Sequence, residues 1–311
     1  MPTLALVAVT AVWGVTFVQV KDAVALYPLF AFTAARFAIA TATLAVPAAR
    51  AVRVLPRRGV GAGVFLGALL GAGFVLQTAG LERTTVSSTG FITGLYVVLT
   101  PIFALVLFRQ RTRPAVWGGV VLAAAGLALL AGVPAGSTAG DLLVLASTAA
   151  QALQIVFVER YAARYDPLAL AFLQMATVCA GCAVSAVAVG QVEMPRGWTV
   201  WSALVVTGVF ASALAYLIQA WAQRRIAATR IALLFSLETV FAGLFGYVLA
   251  GDRLGFGGWF GCALILAGIV LAEPAAAEAL RRLARSSSRA LDARGVTSAS
   301  QEGKRGPKDL L

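Results

Sequence analysis

Residues 88–108 read STGFITGLYVVLTPIFALVLF, a run of 21 residues without a charged side chain. At 1.5 Å of rise per residue, an α-helix of this length extends about 32 Å, close to the thickness of the hydrocarbon core of a bilayer. Arginines follow directly, at positions 109, 111 and 113. An uninterrupted apolar run that ends in a basic cluster indicates a membrane-spanning helix, because a strand of a membrane barrel needs only about half as many residues.

Similar apolar runs, bounded by charge, proline or glycine, lie on both sides of this one. Together they predict an all-α integral membrane protein with ten transmembrane helices, near residues 3–20, 28–48, 60–81, 88–108, 115–133, 140–158, 167–190, 199–222, 229–250 and 257–272. The first run has no basic segment before it and no convincing small-residue cleavage site after it. We therefore interpret it as a span and not as a cleaved signal peptide.

Composition excludes several classes of protein. The chain of 311 residues is 60% hydrophobic and 12% charged, whereas about a quarter of the residues of a soluble domain are charged. Its net charge of +12 lies mostly in loops and in the C-terminal tail, without a basic stripe interleaved with stacking aromatics, so we expect no nucleic-acid partner. The chain has no histidine, which excludes a Ser-His-Asp triad and a His-ligated zinc or haem site. The C-x-x-C of Cys179 and Cys182 lies inside an apolar run, where small residues pack in a helix; we expect no metal, cofactor or catalytic residue.

The distribution of Lys and Arg predicts the orientation in the membrane. The loops after the second, fourth, sixth and eighth runs hold eleven basic residues, the opposite loops hold four, and the tail adds eight to the richer side. The positive-inside rule therefore predicts that both termini lie in the cytoplasm. We expect the protein in the cytoplasmic membrane. Within the tail, residues 278–294 form either an amphipathic helix on anionic headgroups or a solvated segment, and the remainder is predicted to be disordered.

The two halves of the chain resemble each other. Residues 117–129 read WGGVVLAAAGLAL and residues 259–271 read WFGCALILAGIVL, with Trp, Gly, Leu, Ala, Gly and Leu aligned at a separation of 142. We therefore divide the chain into a first five-helix repeat at 1–136, a second at 137–273 and a basic cytoplasmic tail at 274–311. Because five is an odd number of crossings, the second repeat would be inverted in the membrane, as in alternating-access carriers.

Several short motifs add a family resemblance over residues 3–272. They are Trp13-Gly14, Ala35-Arg36-Phe37, Pro101-Ile-Phe-Ala-Leu105, Leu237-Glu238-Thr-Val240, Gly251-Asp252-Arg253-Leu254 and a closing helix with Gly-x₆-Gly. The chain resembles the EamA-type transporters of the drug/metabolite transporter superfamily. It departs from them at Arg109-Gln110, where the family carries Gly-Glu, and at Thr239, where the family often carries Pro. The resemblance implies export or exchange of small metabolites such as amino acids, through a cavity between the two halves.

Polar side chains at membrane depth are the candidates for a binding site, because a charge at mid-helix costs about 2.5–3.5 kcal/mol on insertion scales. Glu238 either faces the cavity, where it binds a substrate amine or takes up a proton, or forms a structural pair. For Arg36 we favour a structural role. Uncharged polar and aromatic residues in other runs either line the cavity or join helices by hydrogen bonds. These residues are Trp13, Thr16, Phe17, Gln77, Thr93, Tyr96, Gln151, Gln154, Tyr216 and Gln219.

The expected function is that of a secondary transporter that exports amino-acid-like or drug-like solutes by alternating access. No G-x-x-x-x-G-K-[ST] loop is present that would bind ATP. The expected partners are a small-molecule substrate and the lipid bilayer. Glycines that repeat every four residues, such as Gly63 and Gly67, favour close packing within a monomer, and a homodimer seam is the alternative. An intramembrane lipid-modifying enzyme and a channel are the alternative functions.

Overall fold

The computed structural model describes residues 2–81, 83–84, 86–131, 138–245, 248 and 255–272, and within these ranges it contains helices and short connections but no β-strand. The helices are α1 (Pro2–Val24), α2 (Leu29–Arg53), α3 (Arg57–Leu81), α4 (Val86–Gly94), α5 (Tyr96–Phe108), α6 (Pro114–Ala131), α7 (Thr138–Ala162), α8 (Pro167–Ala188), α9 (Gly197–Gly208), α10 (Ala215–Ala222), α11 (Ala228–Phe235), α12 (Leu237–Phe245) and α13 (Phe256–Ala272). A π-helical segment, Val209–Leu214, joins α9 to α10. The predicted all-α class is confirmed for these residues, while the tail at 274–311 and Gly251-Asp252-Arg253-Leu254 lie outside them.

Many of these helices suit a bilayer by length and composition. Seven helical segments of the described chain are long and apolar enough to cross a membrane: Leu29–Arg53, Arg57–Gly80, Thr89–Phe108, Thr138–Ala162, Pro167–Ala188, Gly197–Ala222 and Ala228–Phe245. Pro2–Thr16, Pro114–Leu130 and Phe256–Ala272 are shorter apolar helices. Val46, Val106 and Val184 are each more than two-thirds exposed on the outer surface. Such a surface is favourable against lipid and unfavourable against water.

Helices from the beginning of the chain pack against helices from its end. α6 packs along α13, α2 along α8, and α3 against both α7 and α8. α1 lies against α9, α10 and α12, while α5 lies against α7 and α11. The core is therefore built between the two parts of the sequence and not within each part alone.

Glycines allow the closest of these approaches. A Cβ atom on Gly261 would lie 2.6 Å from the carbonyl oxygen of Gly126, and a Cβ on Gly126 would lie 2.5 Å from the carbonyl oxygen of Gly261. Likewise, a Cβ on Gly67 of α3 would lie 2.5 Å from Thr177 Cβ of α8. Only glycine permits backbones to come this near. The glycines of α3, α6 and α13 at these positions thus pack against other helices of the same chain.

Two of the predicted continuous runs are interrupted. The run at 88–108 is divided at Leu95 into α4 and α5, and the run at 229–250 is divided at Ser236 into α11 and α12. At the second break the Ser236 hydroxyl donates to the Leu233 carbonyl at 2.6 Å, while the Ser236 N–H keeps its hydrogen bond to the Ala232 carbonyl at 3.2 Å. Both breaks are local, because Leu99 N–H still donates to the Leu95 carbonyl at 3.0 Å and Ser236 is only 1% exposed.

Candidate functional site

The best candidate site lies where α1, α2, α5, α10 and α12 converge. The Trp13 ring centroid is 6.0 Å from that of Tyr216 and 4.9 Å from that of Phe235. The charges of Arg36 and Glu238 act on each other and on the Tyr216 phenol. Tyr96 is also within electrostatic reach of Glu238. The fold thus gathers opposite charges and aromatic rings that lie far apart in sequence.

Glu238 occupies the first turn of α12, directly after the break at Ser236. A helix N-terminus carries a partial positive charge that favours a carboxylate. The Glu238 side chain is partly exposed, whereas Leu237 beside it is buried. Arg36 and Glu238 both lie in the described part of the chain and form no direct ion pair. The carboxylate therefore remains partly exposed, in the positive field of the helix N-terminus and of Arg36.

Arg36 of α2 is held by the π-helical segment. Its Nε donates to Ser212 Oγ at 2.8 Å, and its Nη2 donates to the Ala211 carbonyl at 3.4 Å. The same carbonyl accepts a hydrogen bond from Trp13 Nε1 at 2.8 Å. Because a π-helical turn interrupts the regular α-helical ladder, these side chains bond to backbone and hydroxyl groups that the widened turn presents. The guanidinium also lies 5.8 Å from the centre of the Phe74 ring.

A chain of buried amides lies beside this group. Gln219 Nε2 donates to Gln154 Oε1 at 3.1 Å, and Gln154 Nε2 donates to Gln174 Oε1 at 2.7 Å. Gln223, one turn after Gln219, donates to the Ile155 carbonyl at 2.7 Å. Gln154 and Gln219 are 2% and 1% exposed, so in this conformation their amides join α7, α8 and α10 and do not face an open space.

The remaining candidates form local pairs. Gln77 Nε2 donates to Thr93 Oγ1 at 2.9 Å, which joins α3 to α4. Gln151 Nε2 donates to the Ser147 hydroxyl at 3.1 Å within α7. Thr16 Oγ1 donates to the Trp13 carbonyl at 3.0 Å within α1. The side chain of Phe17 lies outside the described part of the chain.

The structure adds residues that the sequence did not identify. Ser212 holds Arg36, and Gln174 and Gln223 extend the amide chain. Gln174 is an amide inside an apolar run and could have been selected by the same criterion as Gln154. Ser212 offered no such signal, because a lone serine is common in a membrane helix and its importance depends on the π-helical turn.

The described residues include no group of three or more His, Cys, Asp or Glu residues that could hold a metal ion. Cys179 and Cys182 are free thiols on α8, and Cys182 is fully buried in the apolar contact with α2.

Comparison with known proteins places this architecture in a family. The model of the EamA-like transporter family matches residues 1–132 and, separately, residues 138–272. The chain belongs to the EamA-like transporter family. An uncharacterized transporter from Archaeoglobus fulgidus is 32% identical over 268 residues, which cover 86% of this chain and 84% of the relative. A solved crystal structure has a TM-score of 0.77 at 24% identity, covers 91% of this chain and 98% of its own, and shows a similar fold.

Membership in the EamA-like transporter family confirms the resemblance predicted from the motifs. The protein is therefore a multi-pass membrane transporter, and both the family and the relative from Archaeoglobus fulgidus point to a transporter and not to an enzyme.

Family motifs have local physical reasons in this structure. In Trp13-Gly14, a Cβ on Gly14 would lie 2.5 Å from Phe241 Cβ, so glycine lets α1 approach α12 one turn from Glu238. Arg109, which stands where the family carries Gly, ends α5 in a left-handed conformation with φ of 54°. Glycine adopts that conformation with little strain, so Arg109 carries a backbone cost that glycine at this position would avoid.

Proposed function

We propose that this EamA-like transporter is a secondary carrier that moves amino-acid-like or drug-like solutes across the cytoplasmic membrane by alternating access, in the direction of efflux. In this proposal the chain crosses the membrane ten times, as two inverted five-helix repeats at 1–136 and 137–273. Both termini and the basic tail lie in the cytoplasm. The three shorter apolar helices complete the seven longer spans, with α4–α5, α9–α10 and α11–α12 each forming one span.

The pairing of helices supports the repeat. Each helix of the first repeat has an equivalent in the second, about 142 residues later. α6 and α13 are equivalent and pack against each other, and so are α2 and α8. The contact of α3 with α7 maps onto that of α10 with α1, and the contact of α5 with α7 maps onto that of α12 with α1. Separate matches to one family model at 1–132 and 138–272 agree with the same division. A pairwise symmetry of this kind is expected for two repeats related by a two-fold axis.

The broken helices support a binding site on that axis. Tyr96 begins α5 after the first break, and Glu238 lies in the first turn of α12 after the second, at a separation of 142. These equivalent positions are also within electrostatic reach of each other. Discontinuous helices whose ends meet at mid-depth are a recurring construction of carrier sites, because their termini bind charged groups of the substrate.

The single observation that carries the functional proposal is the separated pair Arg36 and Glu238. The two charges come from α2 and α12, one in each proposed repeat, and they interact without direct contact. A solute between them would present an ammonium group to Glu238 and a carboxylate towards Arg36. The rings of Trp13, Tyr216 and Phe235 would supply a flat apolar wall. A drug-like amine would use Glu238 and the rings alone.

The amides have a supporting role in this proposal. Buried Gln154 and Gln219 keep α7 and α10 in register, and interhelical hydrogen bonds of this kind contribute about 0.6 kcal/mol each. Gln77 joins α3 to α4 and, unlike Gln154 and Gln219, is partly exposed, so in this proposal it lines the solute path.

Counterflow in proteoliposomes tests the proposal. Vesicles with purified protein are loaded with unlabelled solute, and uptake of trace labelled amino acids and amines is followed against empty vesicles. A carrier accumulates label transiently when its own substrate is inside, whereas a channel does not. Glu238→Gln should abolish this counterflow, while Glu193→Gln, an exposed acid in a loop, should leave it intact. Counterflow by Glu238→Gln at the wild-type rate would remove Glu238 from the mechanism, and no counterflow with any solute would contradict a carrier.

A further inference from the structure

The surface of the protein has a cleft whose lining includes neither Arg36 nor Glu238. It has a volume of about 420 Å³, is open on one side, and is formed where α8 begins and α10 ends. Its lining residues are Asp166, Pro167, Leu168, Leu217, Ile218, Trp221 and Arg224. The volume is within the range of roughly 300–1,000 Å³ that is usual for small-molecule sites.

The charged groups of the cleft lie at its helix ends. Asp166 precedes α8 and caps it, with Oδ1 accepting hydrogen bonds from the N–H groups of Leu168 and Ala169 at 2.9 and 3.1 Å. Oδ2 takes no part in these two bonds, and the residue is exposed. Arg224, also exposed, follows α10. One negative and one positive group therefore border the same opening.

The deeper part of the cleft is apolar. Leu217 lies four residues before Trp221 on α10, which is about 6 Å along the helix axis. Leu168 contributes from α8, and the cation of Arg225 lies 5.6 Å from the centre of the Trp221 ring. Tryptophan with neighbouring arginines is typical of the level of the lipid headgroups. The cleft thus runs from a charged rim at the interface towards the apolar interior of the bilayer.

We propose that this cleft binds one membrane phospholipid whose headgroup carries a primary amine, as in phosphatidylethanolamine. The lipid phosphate bonds to Arg224, the ammonium group bonds to Asp166 Oδ2, and an acyl chain lies along Leu217, Ile218 and Trp221. The pairing requires both charges of the headgroup. Phosphatidylcholine lacks N–H donors for the carboxylate, and phosphatidylglycerol offers no cation to it.

Native mass spectrometry of the full chain tests this site. The protein is reconstituted in equal parts of phosphatidylethanolamine, phosphatidylcholine and phosphatidylglycerol, extracted into detergent, and the retained lipids are counted by class. Wild-type protein should retain one phosphatidylethanolamine with a roughly fivefold preference over phosphatidylcholine, the upper range for an exposed ion pair. Leu217→Trp should fill the cleft and abolish retention.

Charge variants separate the two headgroup contacts. Asp166→Asn keeps an N-cap side chain for α8, so the fold should be retained while the preference for the amine is lost. Arg224→Gln should reduce retention of every phospholipid at this site, and Arg57→Gln, an exposed arginine at the start of α3, should change nothing. Thermal melting of each variant confirms that it is folded.

Retention of the three lipids in proportion to their supply would overturn the proposal. So would an unchanged preference for the amine lipid in folded Asp166→Asn, or unchanged lipid retention in folded Arg224→Gln. Neither result depends on transport, so failure of this site and failure of the proposed carrier function are distinguishable.

Discussion

The contact between α6 and α13 makes a sharp prediction about stability. A Cβ on Gly261 would lie 2.6 Å from the Gly126 carbonyl oxygen and 3.2 Å from the Leu130 nitrogen, while ordinary contact begins at 3.4 Å. Both obstacles are backbone atoms, so no side chain can turn away. In Gly261→Ala the two helices must move apart by about 0.8 Å, and overpacking of this kind costs about 1–3 kcal/mol.

Gly126 and Gly261 face each other across the α6–α13 contact, so the two alanine substitutions should have related effects on stability. Gly126→Ala should be destabilising by a similar amount, because its Cβ would lie 2.5 Å from the Gly261 carbonyl oxygen. Both substitutions force the same separation of α6 from α13. The double variant should therefore lose less than the sum of the two single losses, since contacting positions are not additive.

Thermal unfolding in detergent, followed by the folded fraction on size-exclusion chromatography, measures these effects. Gly181→Ala is the matched control, because a Cβ on Gly181 of α8 would meet no atom within 4 Å. Alanine is favoured over glycine in a helix by about 1 kcal/mol, so this variant should be no less stable than the wild type. Equal stability of Gly261→Ala and wild type, or equal loss in Gly181→Ala, would refute the packing argument.

Further predictions concern other parts of the fold. Arg109→Gly should raise the melting temperature, because relief of a left-handed non-glycine residue contributes about 1 kcal/mol, and an unchanged or lower melting temperature would contradict this. Tyr27, in the α1–α2 connection, donates to the Glu193 carbonyl at 2.6 Å, and burial followed by the Glu193 charge raises its pKa above the ordinary 10.0. Tyr27 therefore keeps its proton to a higher pH in the folded protein than in the unfolded chain. The stability that protonated Tyr27 contributes is complete below pH 10 and is lost as the pH rises through the raised pKa. Tyr27→Phe should lose this part of the alkaline pH dependence in melting temperatures measured over a pH series. Gln154→Leu should lower the free energy of unfolding by about 1–2 kcal/mol, because the buried Gln219 amide loses its hydrogen-bond acceptor. Adding Gln219→Leu should recover part of this loss in a double-mutant cycle.

Helix positions were predictable from the sequence because lipid imposes one simple requirement, a long apolar run. The run at 167–190 and the helix Pro167–Ala188 start at the same residue, since Asp166 and Pro167 are strong helix-start signals. The breaks at Leu95 and Ser236 and the π-helical turn were missed. These features depend on contacts between helices, so the hydropathy of a single run does not predict them.

The candidate site was predictable in part. Charge at membrane depth identified Arg36 and Glu238, and the structure places both in one electrostatic group with Trp13 and Tyr216. Gln154 and Tyr216 were both selected as uncharged polar side chains inside apolar runs. In the structure, Gln154 is bonded into an amide chain and Tyr216 lies beside the charged pair. Which polar residues face each other depends on helix rotation, which a single sequence does not encode locally.

In the proposed topology, the two halves of the chain cross the membrane in opposite senses. Arg57 at the start of α3 and Thr199 at the start of α9 are exposed and lie 142 residues apart, at equivalent positions of the proposed repeats. Single cysteines are placed at Arg57→Cys or Thr199→Cys after replacement of Cys179, Cys182 and Cys262, and intact cells are treated with a membrane-impermeant thiol reagent. We expect Thr199→Cys to react in intact cells and Arg57→Cys to react only after permeabilisation. Reaction of both from the same side would contradict this topology.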